Sequence, residues 1–415
     1  MKAAYKPTKV GVLPDDWDTP LLGEIIASTQ LGGNYRNSER ESNWPLIKMG
    51  NLGRGSIKLD KLEFIDPSQP PATRDRLQTD DILFNTRNTL ELVGKVSLWR
   101  DELPEAYFNS NIMRLTFDRT RVASSPFMSY LLNTRQSVHS LRGIAAGTTS
   151  VAAIYERDLA RIVVPLPPKA EQVAIAEALS GTQALVSSLE RLIAKKRLLK
   201  QGVAHQLLTG KTRLPGFTRE WTLVSIDDVA DRAAGVWGAG EPSPRNPRPA
   251  DIIRAGDISQ DSRLAGSARR YLTRQEFAKA ECRLDDVVIT TSGNGLGKVW
   301  WCDGREDLAA SNFVRLLHPR PGRSQGRYLA YVLRSEEGLR QLQEHTATSA
   351  YPNLRPTFFG ARWISLPPPD EQNAIAVILS NIDAEIATLQ AKLVKSHQIR
   401  QGMAQQLLTG RIRLV

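Results

Sequence analysis

The segment LPPKAEQVAIAEALS, Leu166 to Ser180, returns 200 residues later as LPPPDEQNAIAVILS, Leu366 to Ser380. Each copy continues without a gap into a second shared block, QGVAHQLLTGKTRL from Gln201 and QGMAQQLLTGRIRL from Gln401. A constant offset held over such a stretch is the mark of a tandem duplication, so the fold must contain two like units. Weaker echoes upstream keep the same order: IKMGNL at Ile47 with IRAGDI at Ile253, TDDILF at Thr79 with LDDVVI at Leu284, SNIMRL at Ser110 with SNFVRL at Ser311. The chain of 415 residues therefore parses as a variable domain followed by a constant helix, twice over. The expected boundaries are 1–165, 166–213, 214–365 and 366–415.

The variable parts carry short β-type runs, DILFNT at Asp81, MRLTF at Met113, DVVITT at Asp286 and FVRLL at Phe313, punctuated by Gly, Asn and Asp. A mixed sheet with few helices is expected in each, one helix starting at Tyr130 and its counterpart at Tyr331. The constant parts predict long helices. Pro167-Pro168 and Pro367 to Pro369 preset the chain, Glu171 and Glu371 fall in the first turn, and Gly210 and Gly410 follow the last apolar pair.

Both copies share an apolar stripe: Leu179/Leu379, Val186/Ile386, Leu189/Leu389, Ile193/Leu393, Leu199/Ile399, Val203/Met403 and Leu207/Leu407. Its spacing is close to a heptad seam. Two such stripes in one chain are covered most economically by each other, as an antiparallel coiled coil; the alternative is that each packs on its own domain. Lys195, Lys196, Arg197 and Lys200 lie opposite much of the stripe, as a solvated face or alternatively a phosphate contact.

Net charge of +11 and a pI near 9.7 favour a polyanionic partner. No uninterrupted apolar run approaches membrane-spanning length and the start resembles no signal peptide, so a cytoplasmic protein without a membrane partner is expected. Cys282 and Cys302 have no CxxC spacing, and the five histidines no paired spacing, so neither a disulfide nor a metal site is expected. There is no [DN]PP[YF] motif for an amino-methyltransferase and no D-x-K or E-x-K tripeptide for a nuclease. GNGLGK from Gly293 is too short for a phosphate loop and has Val299 where a hydroxyl is required. No catalytic residue is expected.

The EQ helix start after Leu-Pro-Pro, the closing QLLTGK/R-x-R-L and their duplication around dissimilar domains resemble the specificity subunits of type I restriction-modification systems. The resemblance covers the whole chain and implies an α+β fold: two pseudo-twofold-related mixed α/β target-recognition domains separated by two long antiparallel helices in a coiled coil. It further implies a non-catalytic subunit that binds double-stranded DNA at a bipartite, asymmetric site, one half-site per domain. Two methyltransferase subunits for adenine methylation and two restriction (translocase-nuclease) subunits are the implied partners. S-adenosylmethionine, ATP and magnesium would belong to those partners, with no cofactor in this chain. The constant helices would dock the partners, with Glu171, Gln172, Glu371 and Gln372 as candidates. A self-contained restriction or modification enzyme and a purely structural coiled-coil organiser are the competing readings.

Base reading should lie where the halves differ. LGGNYRNSERESN from Leu31 faces AGVWGAGEPSPRNPR from Ala234, and NTRNTLELVG from Asn85 faces TSGNGLG from Thr291. These loops offer Arg36, Arg87, Asn88, Arg245, Arg248 and Asn294, whose forked or amide groups suit guanine and adenine edges, with Lys298 beside them. The shared hydroxyls Thr148-Thr149-Ser150 and Thr348-Ser349 are instead expected at phosphates or in a turn.

Overall fold

The computed structural model describes residues 4–293, 295–347 and 352–414. The chain divides into two compact units, Met1–Glu190 with Ala391–Val415, and Arg191–Gln390.

In the first unit an antiparallel sheet runs in the order Ile26–Leu31, Ile112–Phe117, Ile82–Asn85, Val96–Leu98. Successive side chains of a strand point to opposite faces, and here both faces are covered. Ile82 and Phe84 enter the main core with Trp17 and Phe127, while Leu83 enters a second core with Ile47, Trp99 and Phe108. That double burial explains why Ile82, Leu83 and Phe84 are apolar in succession rather than alternating. The second sheet runs Tyr107–Phe108, Pro45–Ile47, Glu63–Ile65, Asn37–Ser38, its first pair parallel. A third, small sheet joins Ala146–Gly147, Ala152–Ala153 and Arg87–Asn88.

The second unit repeats the plan. Ala230–Ala234, Val314–Pro319, Val287–Thr290 and Val299–Trp301 form the matching antiparallel sheet. Val287 and Ile289 face one core and Val288 another. Ala268–Leu272, Arg248–Ile253 and Leu308–Ala310 form the second sheet, again with one parallel pair.

The helices expected to start at Tyr130 and Tyr331 are each broken in two, Ser125–Leu132 with Arg135–Gly143, and Gly326–Leu333 with Glu336–Glu344. The break is local chemistry: Thr134 accepts a hydrogen bond from the Ser137 amide and Ser335 one from the Gly338 amide, each capping a new helix.

The constant segments form a central helix, Lys169–Leu208, and a C-terminal helix, Pro369–Leu407. Both stop at a glycine in the left-handed region, Gly210 at φ +69° and Gly410 at φ +67°, the usual device for ending a helix. An 18-residue window of the C-terminal helix reaches a mean hydropathy of 1.3. Within that helix Ile375, Ala376 and Leu379 lie in the second unit's core.

Helix pairing is antiparallel within each unit. In the first, Gln183 meets Arg400 and Glu190 meets His397. In the second, Lys196 lies 2.5 Å from Glu385, and Lys200 lies 2.6 Å from Asp383. Partner numbers fall as helix numbers rise. Lys196 and Lys200 are thus spent on the facing helix, not on an open face.

The seam itself is partly as expected. Val186, Leu189, Ile193 and Ile386 are buried, and Leu389, Leu393, Val203 and Met403 are half-buried. Leu179 and Leu407 sit in the first unit's core, Leu379 and Leu207 in the second's. The stripe's ends therefore serve the domains, so the two alternatives for covering it are both used. Leu199 and Ile399 depart from the expectation, at 51% and 47% exposed. A spacing of six from Ile193 and Leu393 turns each of them off the buried face.

Candidate nucleic-acid interface

A buried clamp is built twice in the molecule. Glu171, 0% exposed, accepts a hydrogen bond from the Trp17 indole at 3.0 Å and a forked pair from Arg413 at 2.7 and 2.9 Å. Glu371, equally buried, takes the Trp221 indole at 3.0 Å and both arms of Arg213 at 2.8 Å. Two-armed guanidinium contact is the arrangement that best repays removing a carboxylate from water. Hydrogen bonding to the carboxylates raises the pKa of both arginines.

The glutamines beside them are clamps as well. Gln172 accepts from the Ala123 amide and donates to the carbonyls of Arg121 and Pro167. Gln372 accepts from the Gln325 amide and donates to Arg323 and Pro367. This corrects the expectation for Glu171, Gln172, Glu371 and Gln372: their side chains are buried and committed inside the chain, away from any docking surface. Repetition in the sequence reported scaffold here.

The candidate reading residues separate into groups. Arg87 and Asn88 pair with Ala153 and Ala152, whose strand pairs in turn with Ala146–Gly147, and the Leu90 amide donates to the Thr149 carbonyl at 3.0 Å. One corner of the first unit thus gathers Arg87, Asn88, Thr148 and Thr149. Thr148 lies 3.1 Å from the Ser150 hydroxyl and accepts from the Val151 amide, in a turn around Gly147. Gly147 is at φ +119°, where an added Cβ would come within 2.4 Å of the Val151 carbonyl oxygen. Arg36 is exposed but belongs elsewhere, its backbone held by Gln69 and Asp66 beside the second sheet.

A basic cluster missed by sequence reading adjoins this corner. Arg54 donates to the Gly94 carbonyl and Arg142 to that of Glu91. Burial, then Lys58 and Arg54, hold the Lys95 ammonium below its ordinary pKa; burial, then Arg142, do the same to Arg54. None of these four cations has a carboxylate partner among the described residues, the charge state that a phosphate would relieve. The shared Gly-Lys-Val at Gly94 and Gly297 was the available signal, since it fixes Lys95 and Lys298 at equivalent turns.

In the second unit Asn294, Thr348 and Ser349 lie outside the described residues. Lys298 is half-buried in the tight turn between two paired strands, where its amide donates to the Thr290 hydroxyl at 2.8 Å. Arg245 is exposed in its loop. Arg248 departs from expectation. It begins a strand, stacks 3.7 Å over the Phe277 ring and pairs with Asp307 at 3.0 Å, so its fork is largely used in holding the domain together.

Trp237 is the residue that sequence reading passed over. It is 67% exposed, yet its loop is pinned on both sides, by the Val236 amide on Ala310 and by a two-way bond between Ala239 and Tyr271. Its ring meets Phe313 edge to face at 5.1 Å. A large aromatic side chain held outward on a fixed loop stacks readily on bases.

A family model described as type I restriction modification DNA specificity domain matches the chain twice, over residues 14–196 and 218–395. The chain belongs to this family, the DNA-recognition, non-catalytic subunits of type I restriction-modification systems. The MjaVIII specificity subunit of Methanocaldococcus jannaschii is 20% identical over 97% of this chain and 94% of its own length. The StySPI specificity subunit of Salmonella potsdam is 22% identical over 97% and 90%. The putative MjaX specificity subunit of M. jannaschii is 25% identical, but the match spans 54% of each chain, about half its length. Among solved structures, the S subunit of a type I system from M. genitalium superimposes with a TM-score of 0.63 at 16% identity, covering 94% of this chain and 96% of that one. That likeness supports the fold: two similar mixed α/β units with long antiparallel helices.

Proposed function

We propose that each unit reads one half of a bipartite, asymmetric site in double-stranded DNA, and that the paired helices set the unspecified spacer between the halves. One observation carries the reading: the two units share a buried clamp almost atom for atom and differ in the loops they expose. A repeated scaffold with unlike rims suits two unlike half-sites. The corner of Arg87 and Asn88, with the uncompensated cations Arg54, Lys58, Lys95 and Arg142, serves the first half-site. Arg245, Lys298 and Trp237 serve the second.

In this reading the chain works in the cytoplasm and adds no cofactor of its own. Two methyltransferase subunits dock on its helices and methylate adenine, and two translocase-nuclease subunits join them for cleavage; S-adenosylmethionine, ATP and magnesium are used by those partners. With the EQ pairs buried, exposed apolar side chains such as Leu192, Leu198 and Leu199 on the central helix replace them as the candidate contact.

The test is methylation-aware sequencing of cells that carry the chain with its methyltransferase partner. A gapped adenine-methylated motif should appear, and exchanging the loops of the second unit should change one half-site only. Inserting four residues near Lys196 lengthens the helix by about 6 Å and should change the spacer while both half-sites stay as they were. Methyl transfer by the isolated chain would overturn the reading.

A further inference from the structure

The second unit contains a cleft of about 760 Å³ that the reading above does not use. Six cations line it, Arg197, Lys200, Arg263, Arg305, Arg327 and Arg334, against three carboxylates, Asp261, Asp303 and Asp383. Lys200 pairs with Asp383 at 2.6 Å and Arg305 with Asp303 at 3.3 Å. The other four arginines have no carboxylate partner among the described residues. Arg263 reaches only the Gln390 side-chain oxygen, at 3.4 Å.

Two of these guanidiniums are set in place before any ligand arrives. Arg327 lies 4.2 Å over the Trp301 ring, and that indole is itself pinned to Asp285 at 2.8 Å. Arg334 lies 4.5 Å over Tyr331, whose hydroxyl is held by Asp383 at 2.8 Å. Stacking uses the flat face of a guanidinium and leaves its edge donors for an anion. Arg334 uses one donor on the Ala330 carbonyl, and neither arginine has another side-chain hydrogen bond among the described residues.

The duplicated chain supplies its own control. The helix Gly326–Leu333 answers to Ser125–Leu132, which puts Pro126 where Arg327 stands and Asn133 where Arg334 stands. Leu98 takes the place of Trp301, and His397 that of Arg197. The fold and the clamp are complete in the first unit without this cluster, so neither of them requires it.

We propose that this cleft binds a nucleotide, its phosphates taken by the forks of Arg327, Arg334 and Arg197 and its base lying beside Trp301 and Tyr331, which line the same cleft. The volume is that of a small-molecule site. Guanidinium forks match phosphate oxygens two at a time. Duplex DNA offers the same phosphates with its bases paired and stacked, none of them free to enter the cleft.

The test is titration of the full-length chain with a fluorescent ATP analogue, with ATP, inorganic tripolyphosphate, adenosine and a short duplex as competitors. Saturable binding of one equivalent is expected, with ATP the stronger competitor, tripolyphosphate weaker and adenosine without effect. Arg327→Gln and Arg334→Gln should each weaken binding by about tenfold or more, the loss of a charge-assisted contact, with thermal melting unchanged. Arg119→Gln, at an exposed arginine just after the strand Ile112–Phe117 of the first unit, should bind as the unaltered chain does. No saturable binding at millimolar nucleotide, or equal binding by the cleft variants, would overturn the proposal. So would displacement by one equivalent of duplex together with a matching loss of duplex affinity in both variants, which would make the cleft a DNA backbone contact. Because specific DNA binding by the complex with the methyltransferase is measured separately, failure here leaves the recognition reading standing.

Discussion

The two units are the same machine inside and different ones outside. Trp17, Glu171 and Arg413 in the first match Trp221, Glu371 and Arg213 in the second, distance for distance. At the surface, Asn133 faces Arg334 as its counterpart and Pro126 faces Arg327, while the loop holding Trp237 in the second unit has no aromatic equivalent at Asn34. A duplicated chain thus separates what the scaffold demands from what a ligand demands. Equivalence survives where a charge is buried and is lost where side chains meet solvent.

The largest test of that equivalence is the clamp. Arg413→Ala and Arg213→Ala each strand a buried carboxylate, which costs about 3–5 kcal/mol. Denaturant unfolding followed unit by unit should show the first variant lowering the first unit's transition and the second variant the second's, the first somewhat more because Arg413 also binds Asp16. A loss confined to one variant would break the comparison. Pairing Arg413→Ala with Glu171→Gln should recover part of the loss.

The helix stops should be unequal. Gly210 and Gly410 share nearly the same φ, so alanine pays about 1 kcal/mol of backbone strain at either. At Gly410 the new Cβ would also come within 2.5 Å of the Pro14 ring, against 3.3 Å from the Trp221 ring at Gly210. Gly410→Ala should therefore lower thermal stability more than Gly210→Ala.

For the exposed loops, Trp237→Ala should weaken binding of the assembled complex to DNA by about tenfold, the value of one stacked base. The loss should follow changes in one half-site only. Asn34→Ala, at the equivalent place in the first unit, should have a smaller effect.

The smallest difference concerns acid. Hydrogen bonds from Arg413 hold the Asp16 carboxyl below its ordinary pKa, and Glu220 stands at that place in the second unit without such a contact. A lowered carboxylate stabilises the fold above its unfolded value and loses that contribution as pH falls through the folded one. Asp16→Asn should accordingly flatten the acid limb of the first unit's stability below about pH 4, and leave the second unit unchanged.

Much of this was legible in the sequence. The duplication gave two units and two long helices, and the apolar runs Ile82–Phe84 and Val287–Ile289 gave the central strands. The EQ pairs were legible as important but not as buried, because an acidic residue in a first helical turn reads as a dipole partner until its distant arginine is known. Arg213 and Arg413 stand 158 and 242 residues from the glutamates they bind, a separation no local pattern reports. The cation cluster at Arg54, Lys58, Lys95 and Arg142 was hidden for the same reason. Its members come from three separate stretches of chain and form a group only when the sheet folds.

The clamp also bears on how such a chain could have arisen. Inside each unit the glutamate comes from one repeat and the arginine from the other. A half-length ancestor ending after the first QLLTGKTRL would own every residue type of the clamp, yet the antiparallel run of its helix would carry its arginine away from its own glutamate. Two identical copies would satisfy both clamps by exchange, as a symmetric dimer. Fusing the copies frees each half to diverge, so the loops exposed by one unit need no longer match those of the other.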